Sequence, residues 1–486
     1  MTRITIDPIT RLEGHGKIEL FLDGAGEVAD AVLQIPELRG FERFCMGRPV
    51  TELARIVPKI CGVCPGAHHL AAAKAIDAVY QVEPPPAAKK LRELFYCAHV
   101  FHSHIAHFYV LAAPDFVLGP AADPSRRNIL GVIAKVGRDL GGSVLRHRRI
   151  GQDIQALLAG HQTDLVWCVP GGVSKGISEK QRLGVVELAR SCVEFAKTTV
   201  GVFDRLVLSN EQYVDLILSG PYALCAHSMG LVDSRNQLSL DEGQVRVVDT
   251  RAQEIARFAP QDYLEHIGER VEPWTYLKFP FLKLKGWSGL RDGQDSGVYR
   301  AGPLARINAA DGVSTPLAQV ERERFFATLG GRPVHATLAQ HWARVIELLF
   351  VAERMLELAS DPEVASPEIR RLSRQIPREG VGVVEAPRGM LMHHYVTDEK
   401  GLVVKVNLIV GTTHNHAPIC MSIAKAARGV IGRDKPMTDG ALNMIEMAFR
   451  AYDPCFSCAT HNLPGRAPIE VLVRERDGTL IAREAP

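Results

Sequence analysis

Apolar positions fall into two textures along the chain, alternating or continuous over short runs at the two ends and helical in spacing over long central stretches. The first 35 residues read as strands, with Lys17–Leu22 and Val28–Ile35 separated by the turn signal Asp23-Gly-Ala-Gly-Glu27. From Glu52 to Tyr80 the spacing becomes helical, broken by a cysteine pair and closed by Pro84-Pro85-Pro86. Ala87–Ala113 predicts a long helix ending near Pro114, and Asp123-Pro-Ser a cap for a second reaching Leu158. Further long helices are expected over Ser178–Leu208 and Thr337–Leu358. Between them, Asn210–Asn308 is punctuated by Gly and Pro, and Ser360–Glu379 reads as a loop. Strands return at Gly382–Val384 and Leu402–Val410, and shorter helices at Ile419–Ile431 and Gly440–Ala451 lead to a second cysteine pair. There is no repeat and no low-complexity tract. The pattern predicts an α+β fold, mainly helical, with a long central helix bundle and small peripheral sheets.

Composition narrows this little. Of 486 residues 46% are hydrophobic and 23% charged, ample for a large core. Length alone suggests about three domains, but strands and helices interleave as in one unit. With 57 Lys+Arg against 55 Asp+Glu the net charge is +2, which argues against a nucleic-acid partner. No run reaches the roughly 18 apolar residues of a membrane helix. The opening Met1–Glu13 is charged where a signal peptide must be apolar. A cytoplasmic location is expected, unless a partner with its own export signal carries the chain along.

The ten cysteines are unevenly placed. Cys45, Cys97, Cys168, Cys192, Cys225 and Cys420 stand singly and read as small buried hydrophobes. The other four form Cys61-Gly-Val-Cys64 and Cys455-Phe-Ser-Cys458. A C-x-x-C turn brings two thiolates to one soft or borderline metal. A zinc ribbon would place its pairs about 15–20 residues apart, whereas 455 − 64 leaves 391 here. Any shared site must therefore be assembled by tertiary structure; otherwise the pairs are two unrelated structural features. The flanks favour a site. Lys59 precedes the first pair and His68 follows it, while Asp453 precedes the second and His461 follows it.

These residues carry a family resemblance. Lys59-Ile-Cys61-Gly-Val-Cys64-x-x-x-His68 and Asp453-Pro-Cys455-x-x-Cys458-x-x-His461 resemble the paired signatures of the nickel–iron hydrogenase large subunit, with Lys59 where Arg is usual. Asp7-Pro-Ile-Thr-Arg-Leu-Glu-Gly-His15, Leu38-Arg-Gly-Phe-Glu42 and Glu385-Ala-Pro-Arg-Gly389 extend it along the whole chain. The resemblance implies the fold of that subunit and reversible heterolytic cleavage of dihydrogen. It implies a nickel–iron centre whose iron carries carbon monoxide and cyanide. Cys61 and Cys455 then match terminal nickel ligands, and Cys64 and Cys458 bridges between nickel and iron; with cysteine at all four positions, a selenocysteine variant is excluded. His68 matches a histidine supporting a bridging sulfur. Pro387 and Arg388 match the stretch over the iron, and Thr412 a donor to cyanide. Glu13 matches the glutamate that takes the proton from Cys455, and Asp453 is expected to pair with Arg388. Glu42, the backbone carbonyl of Leu408 and His461 match a second site for magnesium, with iron an alternative. Ser103 stands where the respiratory branch has an aspartate, so a simple aspartate–arginine base is not expected.

The resemblance also divides the chain into a catalytic unit, residues 1–461, and an extension, 462–486, removed on maturation. Hydrogen-sensing members typically lack this extension. A homologous quinone-reductase subunit that keeps the fold without the metal site lacks the cysteine pairs. No further cluster motif is present, so electrons must pass to an iron–sulfur small subunit. Pro170-Gly-Gly-Val173, Tyr299–Arg306 and Gly382–Arg388 resemble the cytoplasmic, cofactor-coupled branch, of the methyl-viologen-reducing or NAD-reducing type. Further partners implied are flavin/NAD or heterodisulfide/ferredoxin-type electron-transfer subunits, a maturation protease and nickel-insertion proteins. His99, His102, His104 and His107 do not share one helix face and read as packing residues. Arg146-His-Arg-Arg149 reads as a solvated helix face.

Overall fold

The computed structural model describes residues 2–433, 435, 437–461 and 463, together with the backbone of two strands at Val471–Arg474 and Leu480–Glu484. The expected extension 462–486 otherwise lies outside the described residues. Near the N-terminus, strands β1 (Thr2–Ile6), β2 (Lys17–Leu22) and β3 (Val28–Gln34) pair antiparallel in chain order. Ile18 and Leu20 of β2 point to one face and are fully buried, as period-2 alternation requires.

Helix α1 (Pro65–Val79) begins directly after Cys64, with Pro65 where no amide hydrogen is needed. Helix α2 (Pro86–Ala106) continues through a π-helical turn at His107–Ala112 into the short helix Ala113–Val117. The chain thus stays helical past Pro114, which enters the first turn of that short helix, where its missing donor breaks no bond. The single helix expected after Asp123 is two. Asn128 caps α3 (Ile129–Val136) by accepting from the amides of Leu130 and Gly131, and Gly137, at φ 97°, ends it before α4 (Arg138–Ala159). Asp123 instead accepts from the Ser125 amide in a turn. Helix α5 (Glu179–Phe203) carries a capping box between Ser178 and Gln181 and runs on through a π turn to Leu208, and α6 (Gln340–Ser360) follows a 3-10 turn at Thr337–Ala339. Helices α2, α4, α5 and α6 pack together around one large apolar core.

The glycine-punctuated middle forms a sheet of β4 (His227–Val232), β5 (Gln244–Val248) and β6 (Glu254–Phe258), and a hairpin of β7 (Ile267–Val271) and β8 (Lys278–Leu282). The short β9 (Tyr299–Arg300) joins the sheet parallel to β4. A second sheet contains β10 (Glu379–Ala386), β11 (Gly389–Thr397) and β12 (Val403–Ile409). Helices α7 (His416–Val430) and α8 (Asp439–Arg450), the latter capped by Thr438, complete the fold.

One close contact decides where the site forms. Helix α1 is rich in alanine and lies on β10 so tightly that a Cβ at Gly382 would stand 2.1 Å from the Ala71 carbonyl oxygen. At Gly380 it would stand 2.3 Å from that of Ala75. Two glycines without side chains thus set the start of α1, with Cys64 and His68, against the strand that leads to Arg388.

Candidate metal centre

The structure gathers the four paired cysteines across almost the whole chain. All are buried, with their sulfurs within 4.8 Å of one another. The Cys61 and Cys64 sulfurs are 2.9 Å apart, those of Cys455 and Cys458 also 2.9 Å, and Cys61–Cys455 and Cys64–Cys458 close the square at 3.2 and 3.3 Å. These distances are far longer than the roughly 2.05 Å of a disulfide. Two local devices hold the second pair. The main chain at Glu13 and Cys455 forms a parallel bridge, with the Phe456 amide donating to the Glu13 carbonyl at 2.9 Å. The Thr412 hydroxyl accepts from the Cys455 amide at 3.0 Å, leaving its own proton to donate elsewhere.

A small, partly enclosed pocket adjoins the sulfurs. It is lined by Cys64, Cys455 and Cys458, and by His68, Pro387, Arg388 and Thr412. Arg388 pairs with Asp453 at 3.1 Å, both buried, and two of its guanidinium nitrogens, Nε and Nη1, have no partner. Burial disfavours the guanidinium charge, but Asp453 and the thiols Cys455, Cys64 and Cys61 more than offset it and push the pKa well up. Burial raises the Asp453 carboxyl, against the pull of Arg388 and Arg344. Burial also disfavours thiolates. At Cys61 the hydrogen bonds from Cys455, Cys458 and Cys64, with Arg388 nearby, outweigh it and lower the pKa, whereas Cys455 and Cys458 are pushed far up. Four crowded buried sulfurs with one shared positive charge make a donor set that a bound cation completes, because coordination deprotonates thiols outright.

Glu13 lies beside this cluster. Its Oε2 is 2.9 Å from the Cys455 sulfur and accepts from the Ser457 amide at 3.2 Å. It is not held by Arg11, two residues earlier. Arg11 adopts φ 55° and binds Asp115, Asn443 and the Leu111 carbonyl. Asp115 also accepts from Arg450 at 2.7 Å, and Arg450 bonds Glu446. This buried network of two arginines and two carboxylates ties the Glu13 loop to α8 and was not visible in the sequence.

Behind the sulfurs, His461 Nδ1 meets Glu42 Oε2 at 2.8 Å. Burial would raise the Glu42 carboxyl, but His461 and Lys278 hold it below the usual carboxylate range. The Leu408 carbonyl is in the same place, accepting from Lys278 Nζ at 3.4 Å. Lys278, missed from sequence inside the apolar run of β8, also contacts Glu42 at 3.5 Å, Glu269 at 3.2 Å and Asn407 Oδ1 at 2.8 Å. One ammonium against two carboxylates leaves a net negative charge. Glu42 Oε1 and Glu269 Oε1 are buried with only this ion-pair contact to Lys278, and His461 Nε2 is buried without a partner, a set that suits a hard divalent cation.

The four histidines at 99–107 are all buried; His102 bonds Gln155, His104 bonds Glu347 and His107 the Arg450 carbonyl, while neither ring nitrogen of His99 has a hydrogen-bond partner. Ser103 is buried with its hydroxyl unpartnered. In the basic stretch at 146–149, His147 turns inward and stacks on Phe195 at 4.3 Å, so only part of that stretch is a solvated face. Of the single cysteines, five are buried, and Cys225 is half-buried, 3.9 Å from His335.

Among the described residues no helix is long and apolar enough to cross a membrane. A family model described as nickel-dependent hydrogenase matches residues 39–126 and 294–461, and a HoxL-like model matches residues 3–38. The chain is 48% identical over 481 residues to an F420-non-reducing hydrogenase iron-sulfur subunit of Archaeoglobus profundus, covering 99% of each. It is 37% identical to the beta chain of the NAD-reducing hydrogenase HoxS of Cupriavidus necator, again covering 99% of each. The solved NAD+-reducing [NiFe]-hydrogenase in the H2-reduced state superposes with a TM-score of 0.88 at 38% identity, covering 95% of this chain and 100% of that one. The Ni-Fe-Se hydrogenase from D. vulgaris Hildenborough, at 24% identity and a TM-score of 0.75, shares the fold. The chain belongs to the nickel-dependent hydrogenase family, and is the catalytic subunit of an oxidoreductase acting on hydrogen.

Proposed function

We propose that this subunit cleaves dihydrogen reversibly at a nickel–iron pair held by its four paired cysteines. Cys61 and Cys455 would serve as nickel ligands and Cys64 and Cys458 as ligands to both metals, with Pro387, Arg388 and Thr412 beside the iron that would carry carbon monoxide and cyanide. When bound, the metal pair supplies the Lewis acid and electron acceptor for splitting hydrogen. The protein's own part is proton handling and electrostatics. The Cys455 sulfur holds the released proton and passes it to Glu13 Oε2, 2.9 Å away. That contact, on a bridge between the two chain ends, is the observation that carries the reading. Arg388, fixed by Asp453, keeps a positive charge over the cavity with donors free for a cyanide nitrogen or a polarised substrate.

Glu42, the Leu408 carbonyl and His461 would hold a magnesium ion, the unpartnered His461 Nε2 and the excess of carboxylates over Lys278 supporting this second site. Residues 462–486 are removed after His461 by a maturation protease once nickel has been inserted by dedicated proteins. The family match ends at residue 461, and the solved NAD+-reducing relative is covered in full while part of this chain is unmatched. Electrons leave through an iron–sulfur small subunit, then onward to flavin/NAD or heterodisulfide/ferredoxin-type partners in the cytoplasm. The test is hydrogen-dependent dye reduction by the co-matured complex. Cys455→Ala abolishes it; uptake that survives this change overturns the reading.

A further inference from the structure

His68 contributes more than bulk to the cavity, and two residues outside every motif decide what it presents there. The ring is fully buried, its Nε2 has no protein partner, and it lines the cavity with Cys64 and Cys458. Its Nδ1 lies 3.1 Å from His393 Nε2. His393 Nδ1 in turn lies 2.6 Å from the Tyr395 hydroxyl. His393 and Tyr395 are two apart on β11 and so face the same side of the strand, toward α1. Both are fully buried, and among the described residues no carboxylate bonds either imidazole.

A neutral imidazole carries one proton, so a chain of two rings and one hydroxyl has two possible directions. In the first, Tyr395 donates to His393 Nδ1. His393 must then be protonated at Nε2 and donates to His68 Nδ1, and His68 carries its proton on Nε2, toward the cavity. In the reverse direction His393 Nδ1 donates to the Tyr395 oxygen. The tyrosine proton then has no acceptor among the described residues, a buried unmade bond. His68 would also turn a lone pair toward sulfur donors that become thiolates on metal binding. Both ends of the chain therefore select the first direction. Burial keeps the rings neutral, with His68 pushed down to about 4 and His393 well below the usual histidine range.

We propose that Tyr395 and His393 are positioning residues for the metal centre: through an ordered Tyr395–His393–His68 hydrogen-bond chain they lock His68 in the tautomer that donates Nε2–H into the thiolate cavity. This rests on the reading of the cysteines as a nickel–iron site. His68 Nε2 is unpartnered but faces the cavity that Cys64 and Cys458 line, so a proton presented there would draw electron density away from metals held by those sulfurs, an effect outer-shell partners commonly use to tune potential. Tyr395, deep in a sheet and outside all recognisable signatures, thereby sets an electronic property of the centre without touching it.

The experiment is infrared spectroscopy of the purified, metal-loaded complex carrying Tyr395→Phe, with nickel and iron measured on the same sample. With metal content retained, loss of the donated proton returns electron density to iron, and the carbon monoxide band moves to lower wavenumber. Incorporating 3,5-difluorotyrosine at position 395, a near-isosteric and stronger donor, moves the band the opposite way even if the phenylalanine variant folds poorly. A carbon monoxide band that stays in place in both overturns the chain while leaving the metal site standing. A wild-type complex with no such band overturns the underlying reading instead.

Discussion

Replacing Asp115 with Asn tests whether the buried ionic network positions the proton acceptor. Asp115 is 2% exposed and bridges Arg11, Arg450 and Asn443. Asparagine keeps the shape, removes the charge, and presents an amide donor to guanidinium donors. Breaking one partner of a buried ion pair costs about 3–5 kcal/mol, because it leaves uncompensated charge in the interior. At roughly 2.1 cal/mol/K per residue, 486 residues give an unfolding entropy near 1 kcal/mol/K, so the melting temperature should fall by about 3–5 °C. The pH dependence has a fixed sign. Burial raises the Asp115 carboxyl, but Arg450 and Arg11 outweigh burial and hold it below its ordinary value of 3.8. Its contribution is therefore fully present above about pH 4 and is lost as pH falls below that, so the gap between wild type and variant narrows in acid. Scanning calorimetry of the complex measures the first effect, and proton–deuterium exchange under hydrogen measures the slackening of Glu13 beside Cys455. A shift under about 1 °C with unchanged exchange would refute the idea that this network anchors the Glu13 loop.

Three other outcomes are expected. Glu13→Gln keeps the contact with the Ser457 amide but removes the proton acceptor; hydrogen uptake falls by roughly 10²–10⁴ with nickel and iron content unchanged. Gly382→Ala places a Cβ against backbone that cannot yield cheaply, so it destabilises by about 3 kcal/mol or more and yields little assembled protein by size-exclusion chromatography. Glu42→Gln removes a charge from the site around His461, and magnesium retained after dialysis falls at least about tenfold by elemental analysis.

The long helices and the cysteine pairs were legible because each has a local signal. Ser178 with Gln181 marks a helix start, and C-x-x-C marks a two-sulfur turn. The break at Gly137 was hidden because the apolar spacing on either side is helical, and only the glycine's left-handed backbone separates α3 from α4. Strand β11 escaped because Gly389–Thr397 is buried along nearly its whole length, giving a continuous run without alternation. At the site, Glu13, Arg388 and Asp453 were found through motif resemblance. Asp115, Lys278, His393 and Tyr395 were not, since their partners lie more than 100 residues away or in an unsuspected strand. Their roles come from packing and hydrogen-bond direction, which no spacing rule records.

The most direct test of the central claim is the metal stoichiometry of the matured complex, read together with its infrared spectrum. The account predicts one nickel and one iron in this subunit beyond the small subunit's clusters, with bands of metal-bound carbon monoxide and cyanide that vanish in Cys455→Ala. A correctly assembled and processed complex that splits hydrogen while free of nickel would contradict it.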